Sequence, residues 1–265
     1  MRPDLPRVLF HYQPFKPEWL EQAIVGRTLY FSTPANFNDP WDCKPEFDPD
    51  SADDPKVREK HALYYIEITC KHRPDITQEE LERNAQTIRN DPRFLRSKIS
   101  EFMATFSTQV AEQYRVYCLS SKPDHELMWA HYAEHHKGLC LGFTTKSPLF
   151  EETLKVDYRA LYPSFDMVQA DLSVLYIKSK SWRYEEEYRL VAQEESRAVG
   201  NTLLARNNLV ELPDKTLTKI IAGCLAPATT VTALKEIVAK SPHPIELFRA
   251  VKAPRQYKFL FERTA

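Results

Sequence analysis

The order of its strand-like and helix-like segments limits the fold of this chain more than any other feature. The first fifty residues predict strand, helix, strand and loop through "RVLFHYQ", "PEWLEQAIVG" and "TLYFSTP". After residue 115 short strand segments predominate, and only the helices "DHELMWAHYAEHH" and "TTVTALKEIVAK" are predicted between them. Irregular alternation of this kind favours an α+β fold with a mixed, mostly antiparallel sheet and flanking helices over regular βαβ winding.

Residues 50–115 differ from the rest because their apolar residues recur at helical spacing. Three helices are predicted in this block, and the last, "PRFLRSKISEFMATFSTQVAEQY", carries apolar residues along one face. Strand segments lie on both sides of the block. We therefore expect a single α+β domain over residues 1–265, with a helical insertion at about 50–115.

Glycine is scarce, with five residues in 265. No two of them stand in a GxGxxG or GxxxxGKS/T pattern, so the chain has neither the Rossmann fingerprint nor a P-loop. A nucleotide, if one binds, must be held by another kind of site.

Charge and cysteine content indicate an ordinary intracellular protein. Lysine and arginine number 36 against 37 acidic residues, so no overall field would attract nucleic acid or anionic lipid, and any polyanion contact must be local. The five cysteines are an odd number without a CxxC pair, which is typical of reduced thiols. No apolar run has the length of a signal peptide or a membrane span. We expect a cytoplasmic protein with no membrane partner.

Charge is concentrated where the chain also predicts a strand, in "SWRYEEEYRLV". In a strand Glu185, Glu187 and Arg189 project to one face, since alternate residues share a side. A solvated edge with weak ion pairs would explain this pattern. The flanking aromatic residues favour a buried sheet instead, and the like charges then need Arg189, an upstream lysine (Lys178 or Lys180) or a ligand to offset them. Paired acids beside a base can orient a hydroxyl or stabilise developing positive charge, so Lys180 and Arg189 are candidate substrate-binding residues beside the two acids.

Two further segments place polar residues on or after early strands. His11 and Tyr12 are adjacent on the opening strand and therefore point to opposite faces, so one of them faces a core or a cleft. Asn38, Asp39 and Asp42 surround a proline in "FNDPWD", just after the second strand. These residue types form turns readily, but at the end of a strand they would also hold a ligand hydroxyl or a metal. Both interpretations stay open.

The helix "DHELMWAHYAEHH" carries His131 and His135 four residues apart, on one side, as metal-binding pairs are. In a metalloprotease helix the glutamate directly follows the first histidine, whereas Glu134 stands beside the second, so no zinc site of that class is predicted. Trp129 and Tyr132 either pack on the sheet or, with His131, contact a substrate.

At these segments the chain resembles domain-of-unknown-function family 2971, an uncharacterised family of bacterial and phage-associated proteins. The matching pieces are "LFHY", "LYFSTPANFNDPWDC", "CLSSKPDHELMWAHYAEHHKGLCLGF", "KSKSWRYEEEYRLV" and "KIIAGC". They span the chain except for the helical block. The family name carries no activity.

The order of the pieces also resembles the layout of the ADP-ribosyltransferase superfamily. That superfamily has a histidine or arginine on an early strand, a tyrosine or Ser-Thr-Ser element on the next, and a glutamate on a late strand. His11, Tyr30 with the following "STP", and Glu185 or Glu187 would fill these roles. Members bind NAD in a split sheet without a glycine-rich loop, which agrees with the shortage of glycine.

The second resemblance implies cleavage of the bond between nicotinamide and ribose in NAD, with transfer to a protein or nucleic-acid acceptor. Glu187 would hold the ribose 2′-hydroxyl and stabilise an oxocarbenium-like transition state. Tyr30 would stack on nicotinamide and His11 would bond the other ribose, while Asn38 and Asp39 would shape the acceptor side. Such an enzyme would act as a toxin or a phage-defence effector.

Two other classes of function stay open. A metal-dependent nuclease or phosphoesterase would gather acidic and basic side chains around Mg²⁺ or Mn²⁺. Its candidate residues are Asp39, Asp42, His131, Lys180, Glu185 and Glu187. A non-catalytic module would use the acidic strand and the helix of Trp129 to bind a partner or a small nucleotide.

Overall fold

The computed structural model describes residues 5–169, 172–194 and 203–264. Its α-helices are α1 (Pro17–Ile24), α2 (Pro55–His72), α3 (Gln78–Asn90), α4 (Pro92–Gln113), α5 (Glu126–Tyr132) and α6 (Ala228–Val238). Its strands are β1 (Val8–Gln13), β2 (Thr28–Tyr30), β3 (Glu46–Phe47), β4 (Tyr114–Ser120), β5 (Leu139–Thr144), β6 (Leu154–Lys155), β7 (Asp157–Arg159), β8 (Ser164–Phe165), β9 (Ile177–Ser179), β10 (Glu187–Glu194), β11 (Leu203–Ala205), β12 (Leu209–Glu211), β13 (Leu217–Ala222), β14 (Glu246–Lys252) and β15 (Phe259–Arg263).

The main sheet has the strand order β11-β10-β4-β1-β5-β13-β14-β15, with β6 added alongside β10. Neighbouring strands pair antiparallel, except that β10 with β11 and β13 with β14 are parallel. This arrangement confirms the predicted α+β class with a mixed, mostly antiparallel sheet and flanking helices. Within the described ranges, no helix combines the length and apolar character that a membrane span requires.

Alternation along the strands builds a core on each face of the sheet. Leu141 and Phe143 of β5 point to one face, which α1 and α6 cover, and Cys140 points to the other. Trp129 of α5 packs on that second face. The sheet therefore has helices on both sides.

The helical block between β3 and β4 has a core of its own, in which α2, α3 and α4 pack around Ala62 and Leu95 among others. Asp54 and Asp91 accept hydrogen bonds as N-caps of α2 and α4, each ahead of a proline at the start of the helix. Thr77 caps α3 in the same way. The three helices predicted for residues 50–115 are thus present.

The main sheet opens between β1 and β4. On one side β1 pairs with β5 at every residue from Val8 to Gln13, and on the other β4 pairs with β10 from Tyr114 to Ser120. Between β1 and β4 themselves, the registered pair among the described residues is Phe10 with Ser120 alone. A continuous ladder would register every residue, so the two strands diverge beyond this pair and leave space between them.

The predicted strand of the acidic segment is shorter than expected. It was expected to begin at Ser181 but begins at Glu187, and Lys180–Glu185 forms a 3₁₀ helix instead. The two elements meet at Glu186, whose backbone is left-handed with a φ of 43°. The prediction of a single extended strand through the three glutamates was therefore wrong.

The helix predicted to carry both His131 and His135 is also shorter. It ends at Tyr132, and His135 and His136 have positive φ angles of 53° and 68°. The prediction that the two histidines share one helical face was therefore wrong. This turn packs closely on the chain just after β13, since a Cβ added to Gly223 would lie 2.1 Å from the His136 carbonyl oxygen.

Candidate functional site

A cavity of about 370 Å³ lies where β1 and β4 diverge. Five parts of the chain meet around it: strands β1 and β4, the loop after β2, helix α5, and the segment from β9 to β10. The segments "FHY", "FNDPWD" and "EEEY" therefore contribute to one cavity, through His11, Asn38 and Glu187 among others.

Lys178 of β9 lies at the centre of a buried charge cluster in the wall of this cavity. Its ammonium contacts Glu185 Oε2 at 2.6 Å, Glu187 Oε2 at 3.1 Å and Asp42 Oδ2 at 3.5 Å. Burial alone would lower the pKa of Lys178, but the neighbouring carboxylates outweigh it and raise that pKa above its ordinary value. Lys178 is therefore a permanent charge that three acids share.

Arg189 holds two of the same acids and is fully buried. Nε and Nη2 donate to the two oxygens of Glu187 at 2.7 and 3.1 Å, and Nη1 and Nη2 donate to the two oxygens of Asp42 at 2.8 and 2.7 Å. Nη1 also donates to the Leu175 carbonyl at 2.8 Å, so all five N–H groups are used. The guanidinium orients Glu187 and Asp42 and has no donor left for the substrate contact that the sequence suggested.

The pKa values of the two glutamates move in opposite directions. Burial raises the pKa of Glu185 to about 7, and its contact with Lys178 only partly offsets that effect. Burial acts on Glu187 as well, but Arg189 and Lys178 together outweigh it and lower the pKa of Glu187 to about 2. Two acids tuned apart in this way are typical of sites with one proton-transferring group and one charge-stabilising group.

The local backbone explains how both acids face one cavity. Glu185 ends the 3₁₀ helix, Glu187 begins β10, and the left-handed Glu186 joins them. The carboxylate of Glu186 accepts a hydrogen bond from the Ser121 hydroxyl at 2.6 Å, outside the cavity. Tyr132 of α5 donates its hydroxyl to Glu185 Oε1 at 2.6 Å and so fixes the orientation of that carboxyl group.

His11 faces the same cavity from β1. Its Nδ1 lies 2.8 Å from the Cys118 carbonyl oxygen, and its ring stacks on Tyr117 with centroids 4.2 Å apart. A carbonyl only accepts, so Nδ1 carries the proton and Nε2 is an acceptor. Burial lowers the pKa of His11 to about 4, so the imidazole is neutral at physiological pH.

Four other residues from the sequence-based set line the cavity with these acids: Tyr12, Asn38, His131 and Tyr132. Tyr12 donates its hydroxyl to the Lys122 carbonyl at 2.6 Å, so it contributes its ring and not a free hydroxyl. Asn38 is exposed at the rim, where its amide is accessible.

Trp129 and Lys180 were candidate substrate contacts, but neither lines the cavity. Trp129 is fully buried and donates its indole N–H to the Pro123 carbonyl at 2.8 Å, so it belongs to the core. Lys180 is exposed, because the chain leaves β9 and enters the 3₁₀ helix at that residue. The lysine that meets the acids is Lys178.

Tyr30 and Asp39 also lie outside this cavity. Tyr30 lines a second, smaller cavity of about 80 Å³, and His11 is the residue that borders both. Asp39 is buried and accepts a hydrogen bond from the backbone N–H of Trp41 at 2.9 Å, as a turn residue does.

The central position of Lys178 and Asp42, which organise the cluster, was not predicted from the sequence. Lys178 directly follows the apolar run "VLYI", which is a signal for a buried strand, whereas Lys180 is two residues further from that run. Asp42 was predicted to form a turn or to hold a ligand hydroxyl or a metal, and no local pattern relates it to Arg189. Ser120, whose hydroxyl donates to the Glu185 carbonyl at 2.6 Å, was missed because an ordinary strand residue carries no such signal.

The described residues contain no group of three or more His, Cys, Asp or Glu side chains placed to hold a metal ion. The carboxylates of the cluster contact the cationic groups of Lys178 and Arg189 instead.

Comparison with protein-family models, with curated proteins and with solved structures finds no match for this chain. The two resemblances noted in the sequence therefore stay predictions.

Proposed function

We propose that this protein binds NAD in the cavity between β1 and β4 and cleaves the bond between nicotinamide and ribose, as ADP-ribosyltransferases do. The observation that carries the proposal is the pair of buried acids, Glu185 and Glu187, whose pKa values are shifted in opposite directions beside one cavity. The divergence of the two strands also supports it, since the superfamily binds NAD in a split sheet.

The size of the cavity suits part of this ligand. A volume of about 370 Å³ is near the lower end of the range for small-molecule sites, about 300–1,000 Å³. The nicotinamide riboside half would enter the cavity, and the adenosine half would extend from its mouth. Phe37 lines the cavity and takes the stacking role that the sequence suggested for Tyr30.

Glu187 would stabilise the charge that develops on the ribose. The departing nicotinamide takes the electron pair of the C–N bond and leaves an oxocarbenium-like ribose, as in glycoside hydrolysis. Glu187 is ionised, and Arg189 holds both of its oxygens, so the carboxylate does not have to reorganise during the reaction. The ribose 2′-hydroxyl would donate a hydrogen bond to it.

Glu185 would handle the proton of the acceptor. With a pKa of about 7, it is ionised in a substantial fraction of molecules at neutral pH. As the acceptor hydroxyl bonds to the ribose carbon, its proton passes to the Glu185 carboxylate and then to solvent. Water in place of the acceptor gives NAD hydrolysis, so release of nicotinamide can be measured with no acceptor present.

His11 would contribute a hydrogen bond and not a charge. Because its imidazole is neutral and Nδ1–H is bonded to the Cys118 carbonyl, Nε2 is the atom that accepts from a ribose hydroxyl. Asn38 at the rim would face the acceptor.

The test is the rate of nicotinamide release by the wild type and two matched variants. Glu187→Gln preserves the size of the side chain and removes its charge, so we expect the rate to fall by about 100-fold or more. Glu186→Gln changes the adjacent acid, which lies outside the cavity, and should leave the rate unchanged. Calorimetric titration with NAD checks that each variant retains the binding cavity.

A Glu187→Gln protein with the wild-type rate would remove Glu187 from the mechanism. If the wild type binds NAD but releases no nicotinamide at any pH, the cavity belongs to the non-catalytic binding class. Activity on nucleic acid or phosphoesters that a chelator abolishes would favour the metal-dependent class.

A further inference from the structure

The β14–β15 turn carries a local excess of positive charge that the proposed NAD site does not use. The sequence of residues 249–258, "RAVKAPRQYK", contains four basic residues and no acidic residue. The whole chain is nearly neutral, with 36 basic and 37 acidic residues, so this segment is the kind of local contact that a polyanion would need.

A groove of about 580 Å³ lies beside this turn. Lys252, Arg255 and Lys258 line it, and within the described residues none of the three side chains forms an ion pair or a hydrogen bond. Glu126 of α5 is the acidic residue that faces them there. The three cations are therefore available to an external anion.

An aromatic ring stands among these cations. Tyr257 is 99% exposed, so its ring contributes no packing to the fold. It lines the groove together with the cations, and Leu225, about half exposed, lies in the same groove. A free ring flanked by unpaired cations is the combination with which proteins bind single-stranded nucleic acid, since bases stack on the ring and phosphates contact the cations.

We propose that this groove binds single-stranded nucleic acid, with a base stacked on Tyr257 and phosphates held by Lys252, Arg255 and Lys258. A duplex fits less well, because its bases stack on each other and leave no free face for the ring. An acidic protein segment would satisfy the cations but would gain nothing specific from the exposed ring.

The position of the groove relates it to the acid cavity. Helix α5 supplies Glu126 to the groove, and Met128 and His131 to the cavity, so one short helix separates the two. A single-stranded nucleic acid bound in the groove would lie close to the proposed NAD site. Binding of the nucleic acid does not depend on NAD cleavage and can be tested without it.

The first test is fluorescence anisotropy with a short labelled single-stranded oligonucleotide at low salt. Tyr257→Ala should weaken binding by about 5-fold to 100-fold, the effect of losing one stacked base, while Tyr257→Phe keeps the ring and should bind as the wild type does. Neither variant should affect folding, because this side chain is almost fully exposed.

The second test is the salt dependence of binding. In the double variant Arg255→Ala/Lys258→Ala, the slope of log affinity against log salt should become shallower by about 0.7 for each phosphate that the protein no longer neutralises. Lys71→Ala removes an exposed lysine on α2 and should not change the slope.

Three results would overturn the proposal. The first is no binding of the oligonucleotide at low salt. The second is a Tyr257→Ala protein that binds as tightly as the wild type. The third is competition by a duplex or by polyglutamate that is as effective as competition by the unlabelled single strand.

Discussion

Replacement of Arg189 by methionine is the sharpest test of the buried charge cluster. The change keeps a long side chain but removes the group that donates to both oxygens of Glu187 and both oxygens of Asp42. Lys178 would then be the one cation left among three carboxylates. Glu187 and Asp42, which Arg189 pairs in the wild type, would then share the Lys178 ammonium with Glu185. At least one of these carboxylates would be left without adequate charge compensation.

The size of the effect follows from protonation. A buried acid without a partner can take up a proton, and at pH 7 this requires about 3 kcal/mol for a group with an ordinary pKa of 4.5, at about 1.4 kcal/mol per pH unit. The value is at the lower end of the about 3–5 kcal/mol expected when one partner of a buried ion pair is removed. We therefore expect Arg189→Met to lower the free energy of unfolding at pH 7 by about 3 kcal/mol or more.

The sign of the pH dependence distinguishes this explanation from loss of packing. In the wild type the pKa of Glu187 is below its value in the unfolded chain. The contribution of Glu187 to the free energy of unfolding is therefore constant above about pH 5. Without Arg189, burial raises the folded pKa above the unfolded one, so the folded state binds a proton that the unfolded state lacks. The variant then becomes less stable as pH rises. The difference between its free energy of unfolding and that of the wild type should shrink by about 1.4 kcal/mol per pH unit as pH falls from 7 to 5.

Urea unfolding followed by tryptophan fluorescence, at several pH values, measures both quantities. Arg189→Lys is the matched control, because it keeps the charge and loses only the forked hydrogen bonds. It should lose less stability and show little of the pH dependence. A deficit for Arg189→Met that is below about 1 kcal/mol, the value of an exposed ion pair, or that is constant with pH, would refute the reasoning.

Three further predictions concern neighbouring residues. Tyr132→Phe removes a hydrogen bond that lowers the pKa of Glu185, so an infrared pH titration should show that pKa rising further; an unchanged titration would contradict this. Trp129→Ala should lower the free energy of unfolding, measured by urea unfolding, by about 3–5 kcal/mol because the indole is fully buried. A loss below about 1 kcal/mol would mean that helix α5 does not bury this side chain against the sheet. Gly223→Ala would place a Cβ 2.1 Å from the His136 carbonyl oxygen, so we expect a large fall in melting temperature by circular dichroism; a wild-type melting temperature would exclude the close approach.

Most helices and strands could be predicted because their patterns are local. The run "GLCLGFT" is apolar on both sides and forms the central strand β5, and the apolar stripe after Asp91 forms α4. The order of strands in the sheet is not local, and no pattern in the sequence indicates that β1 lies between β4 and β5. The divergence of β1 from β4, which creates the cavity, is likewise a property of the assembled sheet.

Glu185 and Glu187 lie together as predicted, although the local structure predicted for them was wrong. Glu185 and Glu187 were expected on one strand face, and both do line one cavity. Glu185 reaches it from a 3₁₀ helix, and the left-handed Glu186 supplies the change of direction. The same 3₁₀ helix begins at Lys180 and directs its side chain into solvent. Lys178 and Lys180 would share a face in a continuous strand, but β9 ends at Ser179. Only tertiary contacts decide where a strand gives way to such a turn.

Stability alone does not explain five charges buried in one place. Apolar residues of similar volume often replace a buried ion cluster without loss of stability. Here the cluster has two parts: Arg189 uses every donor on protein acceptors and does not line the cavity, whereas Lys178 and Glu185 stand in the cavity wall. A structural cluster would need no such division. A site that transfers protons does need it, since fixed charges must hold one acid ionised while a second acid takes up a proton and then releases it.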